Sequence, residues 1–308
     1  MNVTLRQLKI FEAVARHLSF TRASEELHLT QPAVSMQVKQ LEDIMGVPLF
    51  EQVGKRIFLT DAGQEMARYS RQISDTLDEV EQVFDELRGV KGGRLRLSVA
   101  STANYFVPQL LAEFCQRYPK VQVSLDVTNR ERLLAALADN STDLVIMGQP
   151  PEGMELVAES FMENPLVAIA SPSHPLARLR NIPLERLVKE TFLVREQGSG
   201  TRSAMERFLV EHGLALSSTM EMSSSEAIKQ GVEAGLGLGL LSLHTLEMEL
   251  ALKRLIVLDV KNLPIYRSWY IMYRPGKRLS GVTKNFRRFV VEEAEGILKL
   301  PALSKKSA

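Results

Sequence analysis

The sequence predicts an α/β chain in which a winged helix-turn-helix and a long polar helix precede a two-lobed α/β region. Three observations predict it. Residues 19–45 carry two short helical apolar patterns with a tight break between them, residues 61–90 carry one long helical pattern without proline, and beyond residue 94 strand-like and helical stretches alternate. The resulting boundaries are 1–60, 61–90, a hinge at 91–93, an α/β region at 94–300 and a loose tail at 301–308. Within the α/β region, one lobe takes about 94–163 and 268–300 and the other about 164–267. At 308 residues, 45% apolar and 24% charged, the composition is ordinary for a two-domain globular chain.

Leu5 to Arg16 places Leu5, Leu8, Phe11, Val14 and Ala15 on one helical face, a scaffold for the two helices after it. The first helix of the pair, about Phe20 to His28, aligns Phe20, Ala23 and Leu27. Thr30 is a good N-cap for the second, Pro32 is tolerated in its first turn, and Val34, Val38, Leu41 and Met45 form its buried stripe. Gln31, Pro32, Ser35, Met36, Lys39 and Gln40 are left on the outer face. An amide can pair with adenine, a hydroxyl can bond a base edge, a thioether can meet a thymine methyl and an ammonium neutralises phosphate. Paired helices are also common in all-α domains, and charge does not separate the readings. Residues 1–60 hold seven Lys and Arg against six Asp and Glu.

Gly46 ends the second helix, Pro48-Leu49-Phe50 begins an arm, Gln52 to Arg56 turns and Ile57-Phe58-Leu59 returns as a strand. Lys55 and Arg56 at this wing tip suit phosphates or a minor groove; a solvated hairpin tip is the other reading. In the long helix after Asp61, Ile73, Leu77, Val80, Phe84 and Leu87 succeed one another at spacings of 4, 3, 4 and 3, one heptad beyond Met66. The seam calls for a second helix or for the chain's own C-terminal region.

From Leu95 the pattern alternates: strands at 95–100, 121–127, 144–147, 166–170, 192–194, 220–222, 237–241 and 269–272, with helices at about 104–118, 130–139, 202–212, 226–234 and 282–298. It predicts a mostly parallel sheet. Ligands of such sheets sit beyond the strand ends near helix N-termini, which selects Ser101, Thr102, Asn129 and Gln149. The loop Arg195-Glu196-Gln197-Gly198-Ser199-Gly200-Thr201-Arg202 adds glycines that admit a ligand, two hydroxyls and two cations. Its candidates are Arg195, Gln197, Ser199, Gly200, Thr201 and Arg202, suited to phosphate or carboxylate. The spacing is not that of a P-loop. A plain turn, with the arginines paired to Glu196 or Glu206, is the alternative.

The N-terminus has no apolar run of signal-peptide length and no segment is long enough for a bilayer, which predicts a cytosolic protein with no membrane association. Cys115 is the only cysteine, and the five histidines show no ligand spacing, so no metal site and no disulfide is read. No nucleophile, base and orienting group stand together, so no catalytic set is read.

From Leu5-Arg6-Gln7-Leu8 through Ala33-Val34-Ser35 to Leu59-Thr60-Asp61-Ala62-Gly63, the sequence resembles the N-terminal domain of LysR-type transcriptional regulators. Leu95 to Leu298 resembles their effector-binding domain, itself similar in fold to periplasmic solute-binding proteins, so the resemblance covers nearly the whole chain. It implies double-stranded promoter DNA as a partner, pairing of the 61–90 helix in a homodimer or homotetramer, contact with RNA polymerase, and a small-molecule effector rather than a cofactor. The phrases Phe50 to Arg56, Met147-Gly148-Gln149-Pro150-Pro151 and Val194 to Arg202 are most similar to the activators of carbon-fixation operons, which implies a phosphorylated metabolite or nucleotide. Many family members carry Arg where this chain has Gln52. Regulators of sulfur and nitrogen operons share the Gly-Ser-Gly-Thr-Arg loop and form the alternative within the family. A solute-binding protein or enzyme on the same two-lobed fold is the alternative outside it.

Overall fold

The computed structural model describes residues 2–54, 56–87 and 92–298. Lys55, Lys91 of the hinge, the 301–308 tail and the side chain of Leu87 lie outside the described residues. The chain forms two compact units, one ending at Leu87 and the other beginning at Arg88.

In the first unit, α1 (Leu5–His17) begins with a reciprocal cap. The Gln7 main-chain N–H donates to Thr4 Oγ1 at 3.2 Å, and the Thr4 N–H donates to Gln7 Oε1 at 3.0 Å. Ser19 caps α2 (Phe20–Glu26), which stops short of His28 because His28 takes a φ of 53° and the Leu29 N–H turns back to the Ser24 carbonyl. α3 (Gln31–Met45) carries Pro32 in its first turn and ends at Gly46, φ 72°. Val34 and Val38 pack on Ile10, Ala13, Val14 and Ala23, while Leu41 meets Phe11 and Leu49. Glu42 Oε1 accepts from the main-chain N–H groups of Leu49 and Phe50, fixing how the chain leaves α3 for the hairpin of β1 (Phe50–Val53) and β2 (Arg56–Leu59).

The long helix α4 (Asp61–Leu87) joins this core at its start through Ala62, Met66 and Ala67. Farther along, Leu77 is half-buried while Ile73, Val80 and Phe84 are exposed by 40%, 47% and 55%. An apolar seam left this open on a polar helix is an unmet burial demand.

The second unit contains two mixed sheets. The chain builds β3 (Gly92–Ala100), α5 (Val107–Arg117), β4 (Lys120–Thr128), α6 (Arg130–Ala138), β5 (Leu144–Met147) and β6 (Val157–Glu163). It crosses to a second lobe for β7 (Leu166–Ala170), α7 (Leu184–Leu187), β8 (Thr191–Arg195), α8 (Gly200–Glu211), β9 (Ser218–Met222), α9 (Ser225–Glu233), β10 (Leu238–Ser242), α10 (Glu247–Ala251) and β11 (Ile256–Val257). It then returns through β12 (Ser268–Tyr273) to α11 (Gly281–Ile297). The first lobe orders its strands β4-β3-β5-β12-β6 and the second β11-β7-β10-β8-β9.

Leu95, Leu97 and Val99 of β3 face α5 and α11, where Phe114 and Phe286 meet edge to face at 5.0 Å between ring centroids; Val145 and Met147 of β5 face Leu133 and Leu137 of α6. In the second lobe, Phe192 and Val194 pack on Met205 and Leu209 of α8, and Leu193 packs on Ile228 and Val232 of α9. The alternation in each strand therefore feeds two helical layers.

Three expectations are corrected. The sheets are mixed, not mostly parallel: β12 runs antiparallel to both β5 and β6, and β7 runs antiparallel to β10 and β11, because strands next to each crossover enter from the opposite end. Gly92 and Gly93 are not a hinge but the first pairs of β3, opposite Lys120 and Val121, and a Cβ on Gly92 would press on Lys120. The helix read from Asn104 starts at Val107 after a 3-10 turn at Ala103–Tyr105, since Pro108 has no N–H to continue a helical ladder from residue 104. The strand β6 escaped the pattern because Glu159, Ser160 and Glu163 break its apolar alternation.

Gly63 sits where α4 meets the arm before β1, and a Cβ there would fall against the Leu49 carbonyl oxygen. Gly63→Ala should destabilise the N-terminal unit by about 1–3 kcal/mol through overpacking. Guanidinium unfolding followed by circular dichroism checks this, and an unchanged midpoint would mean that the arm yields freely.

Candidate functional site

The outer face of α3 presents Gln31, Pro32, Met36 and Lys39 to solvent, with Ser35 half-buried. Gln31 Nε2 donates to Ser35 Oγ at 3.0 Å, so these two side chains hold each other one helical turn apart. Lys39 Nζ lies 3.7 Å from Asp43 yet stays 72% exposed, a tether that solvent screening makes weak. Arg56 is exposed at the hairpin tip, where Gln52 Nε2 donates to the Gly54 carbonyl and stiffens the turn. The surface thus offers amide, hydroxyl, thioether and ammonium groups on a helix narrow enough for a major groove.

The second unit holds a cleft of about 360 Å³ between its lobes. Its walls come from the loops beyond β3, β4 and β5, supplying Ser101, Thr102, Asn129 and Gln149, and from the start of α8, supplying Ser199, Gly200 and Thr201. These are the carboxyl ends of parallel-paired strands. Ser199 is the N-cap of α8 but makes no side-chain capping bond, which leaves the first N–H groups of that helix available to an acceptor in the cleft.

The arginines sort differently from the sequence reading. Arg195 lines the wall, but it is 3% exposed and already engaged: Nε and Nη2 donate to the Glu196 carboxylate at 2.7 and 2.8 Å, Nη1 donates to Ser225 and Nη2 to Ser101. Arg202 and Gln197 are not part of the wall. Arg202 turns away toward β9, donating to Glu221 at 2.6 Å, Glu206 at 2.8 Å and the Arg195 carbonyl at 3.0 Å. Both arginine side chains therefore adopt the paired-turn alternative.

Three other arginines line the cleft. Arg130 comes directly after Asn129, Arg207 lies on α8 two turns after Gly200, and Arg267 sits on the returning segment before β12. Arg130 Nη1 donates to the Gln149 carbonyl at 2.6 Å, Arg207 Nη1 to Gln149 Oε1 at 3.0 Å and Arg267 Nη1 to the Gly200 carbonyl at 3.0 Å. Among the described residues none of the three has a carboxylate at ion-pair distance, and Arg267 Nε has no partner at all. Burial, then the like charges of Arg130 and Arg207, push the Arg267 guanidinium down to about 10, and burial followed by Arg207 lowers Arg130. At about 10 the Arg267 guanidinium stays charged at neutral pH, so an anion beside it would relieve both its desolvation and the repulsion it feels. The sequence reading missed Arg207 and Arg267 because no glycine-rich loop marks them. A signal existed for Arg207: with Gly200, Ser203 and Ala204 it forms one helical face.

At the junction of the lobes, His244 is buried against the Phe106 and Trp269 rings, at 5.3 and 6.3 Å between centroids, and its Nε2 bonds the Glu163 carbonyl at 2.9 Å. Burial holds its pKa below the ordinary histidine value, against a smaller opposing effect of the Glu163 carbonyl. The unfolded chain then binds more protons than the folded one between the lowered value and about 6.5, so this contribution is complete above that pH and declines as pH falls through the window. His244→Gln should flatten that acid-side loss in unfolding titrations at about pH 7, 6 and 5; an equal slope in the two proteins would assign the loss to other groups.

Among the described residues no helix is long and apolar enough to cross a membrane, and no cluster of three or more His, Cys, Asp or Glu could hold a metal ion. Compared with known proteins, residues 5–64 match the bacterial regulatory helix-turn-helix model of the lysR family and residues 88–295 match the LysR substrate binding domain. The chain is 57% identical over 294 residues to a RuBisCO operon transcriptional regulator of Allochromatium vinosum, covering 96% of this chain and 97% of that one. It is 47% identical over 296 residues to the HTH-type transcriptional activator CmpR of Synechocystis sp., covering 96% and 97%. Among solved structures, the regulatory domain of CcmR from Synechocystis PCC6803 in complex with 2-PG matches with a TM-score of 0.62 at 44% identity, covering 65% of this chain and 96% of that one.

Proposed function

The chain belongs to the LysR family of bacterial helix-turn-helix transcriptional regulators, among the regulators of carbon-fixation operons, and from that premise we propose that it activates its operon when a small phosphorylated metabolite enters the interlobe cleft. It is a regulator and not an enzyme. The observation that carries the effector class is the trio Arg130, Arg207 and Arg267, without carboxylate partners, beside the uncapped start of α8. A doubly charged phosphoryl group satisfies such a site better than a single carboxylate does, since it brings more charge and more acceptor oxygens. The CcmR regulatory domain in complex with 2-PG supports a small-molecule effector for the second unit, and the activator designation of CmpR supports the direction of the response.

The remaining roles rest on the same premise. α3 reads promoter DNA through Gln31, Ser35 and Met36, with Lys39 and Arg56 on phosphates. The exposed Ile73, Val80 and Phe84 of α4 are buried against a second copy, which places two reading helices on two half-sites. An effector shifts the arrangement only to the extent that it binds one arrangement of the assembly more tightly than another. RNA polymerase is the partner through which an activator of this kind acts.

Calorimetric titration with inorganic phosphate, 2-PG, sugar phosphates and sulfate tests the effector reading. Phosphorylated compounds should bind saturably, and Arg267→Met should lose about 10- to 100-fold in affinity, the loss of a charge-assisted bond. Arg202→Ala, which breaks ties to Glu206 and Glu221, should lose far less. Equal affinity in Arg267→Met would move the site out of the cleft.

For DNA, Gln31→Ala should relax base preference at one operator position by about 1–3 kcal/mol, whereas Lys39→Ala should weaken all sequences alike and reduce the salt slope by about 1. Competitive binding at several salt concentrations separates the two, and uniform losses in both variants would remove base reading from Gln31.

A further inference from the structure

Resting on the reading of the cleft as an anion site, we propose that Gln149 is an internal competitor for the Arg207 guanidinium and so sets the threshold that an effector must exceed. Gln149 lies just beyond β5 in the first lobe, and Arg207 belongs to α8 in the second. Pro150 comes next and keeps residue 149 out of helical backbone geometry, which holds its carbonyl in one direction. That carbonyl accepts from Arg130 Nη1 at 2.6 Å, and the side-chain Oε1 accepts from Arg207 Nη1 at 3.0 Å. One exposed residue thus supplies acceptors to two of the three cleft arginines, and its side chain ties one lobe to the other.

The amide does only part of what an anion does. It satisfies a guanidinium N–H without adding charge, so the repulsion among Arg130, Arg207 and Arg267 persists while Gln149 occupies the donor. An incoming phosphoryl group that takes the Arg207 donor held by Gln149 must first break that bond, and its observed affinity is multiplied by the fraction of molecules in which the bond is open. The reduction is the same factor for every anion that uses Arg207. Weak monoanions thereby drop out of the useful range, whereas a dianion, which also relieves the repulsion, stays within it.

The test compares wild type, Gln149→Ala, Arg207→Ala and the double variant by calorimetry with inorganic phosphate and with 2-PG. Gln149 is exposed, and circular dichroism melts verify that the variants keep the fold. Gln149→Ala should bind both probes roughly three- to tenfold more tightly, the range for releasing one hydrogen bond. The gain should vanish in the Arg207→Ala background, as non-additivity requires for a pair acting on each other. The effector concentration needed for a change in operator binding should fall by the same factor. Weaker or unchanged binding in Gln149→Ala would overturn the proposal while leaving the cleft reading intact, as would a gain that survives without Arg207. No binding of either probe to wild type or to Gln149→Ala would overturn both.

Discussion

The second unit depends on a double crossing of the chain between its lobes, where a reciprocal main-chain pair between Leu166 and Ile265 and a buried asparagine join the outgoing and returning segments. Asn164 has no exposure; its main-chain N–H donates to the Arg267 carbonyl at 2.7 Å, joining the outgoing strand to the returning one, and its Oδ1 accepts from Ser242 Oγ at 2.7 Å. His244 adds a bond to the neighbouring Glu163 carbonyl. Polar main-chain groups at such a place must be satisfied inside the protein, which limits how the two segments pass each other. Because Arg267 is itself one of the joined residues, the same crossing sends its side chain across the cleft to the Gly200 carbonyl. Lobe connection and cleft wall therefore share a residue, which couples the shape of the cleft to the geometry of the lobes.

The cleft shows two ways of handling buried cations. Arg195 is neutralised within its own loop by Glu196 and then uses its remaining donors on Ser101 and Ser225, one on each lobe, so it behaves as a brace. Arg130, Arg207 and Arg267 donate only to neutral oxygens, and behind burial the neighbouring like charges lower Arg267 and Arg130. A neutralised arginine stabilises a fold, whereas a group of unneutralised ones holds binding energy for an anion at the expense of that fold.

The DNA-reading unit applies a different division. The stripe of Val34, Val38 and Leu41 is anchored on α1, and Glu42 uses its carboxylate to position the wing, so the outward residues of α3 move with a rigid body. Rigid presentation matters for base reading, because each bidentate contact must meet a fixed edge. The α4 seam then leaves apolar residues exposed on a helix that is otherwise polar, a burial demand that this unit does not meet by itself.

Local pattern was enough to locate the helices of the N-terminal unit, most strands of the two sheets and the strand-end loops of the cleft, because helical and strand periodicity, caps and glycine turns are properties of neighbours in the chain. The same locality identified Ser101, Asn129, Gln149 and the Ser199 loop. It could not say which arginines line the cleft without a carboxylate partner. For Arg195 and Arg202 it left two readings open, ligand contact or pairing to Glu196 and Glu206, and the structure adds Glu221, which reaches Arg202 from an adjacent strand. Arg207 and Arg267 stood in ordinary surroundings, 60 residues apart, and only the chain's return from the second lobe brings their charges together. Strand direction next to each crossing was decided in the same way. Secondary structure and binding-loop chemistry were set by sequence neighbours, while the balance of charge in the cleft was decided by tertiary structure, because ion pairing is a matter of distance in space.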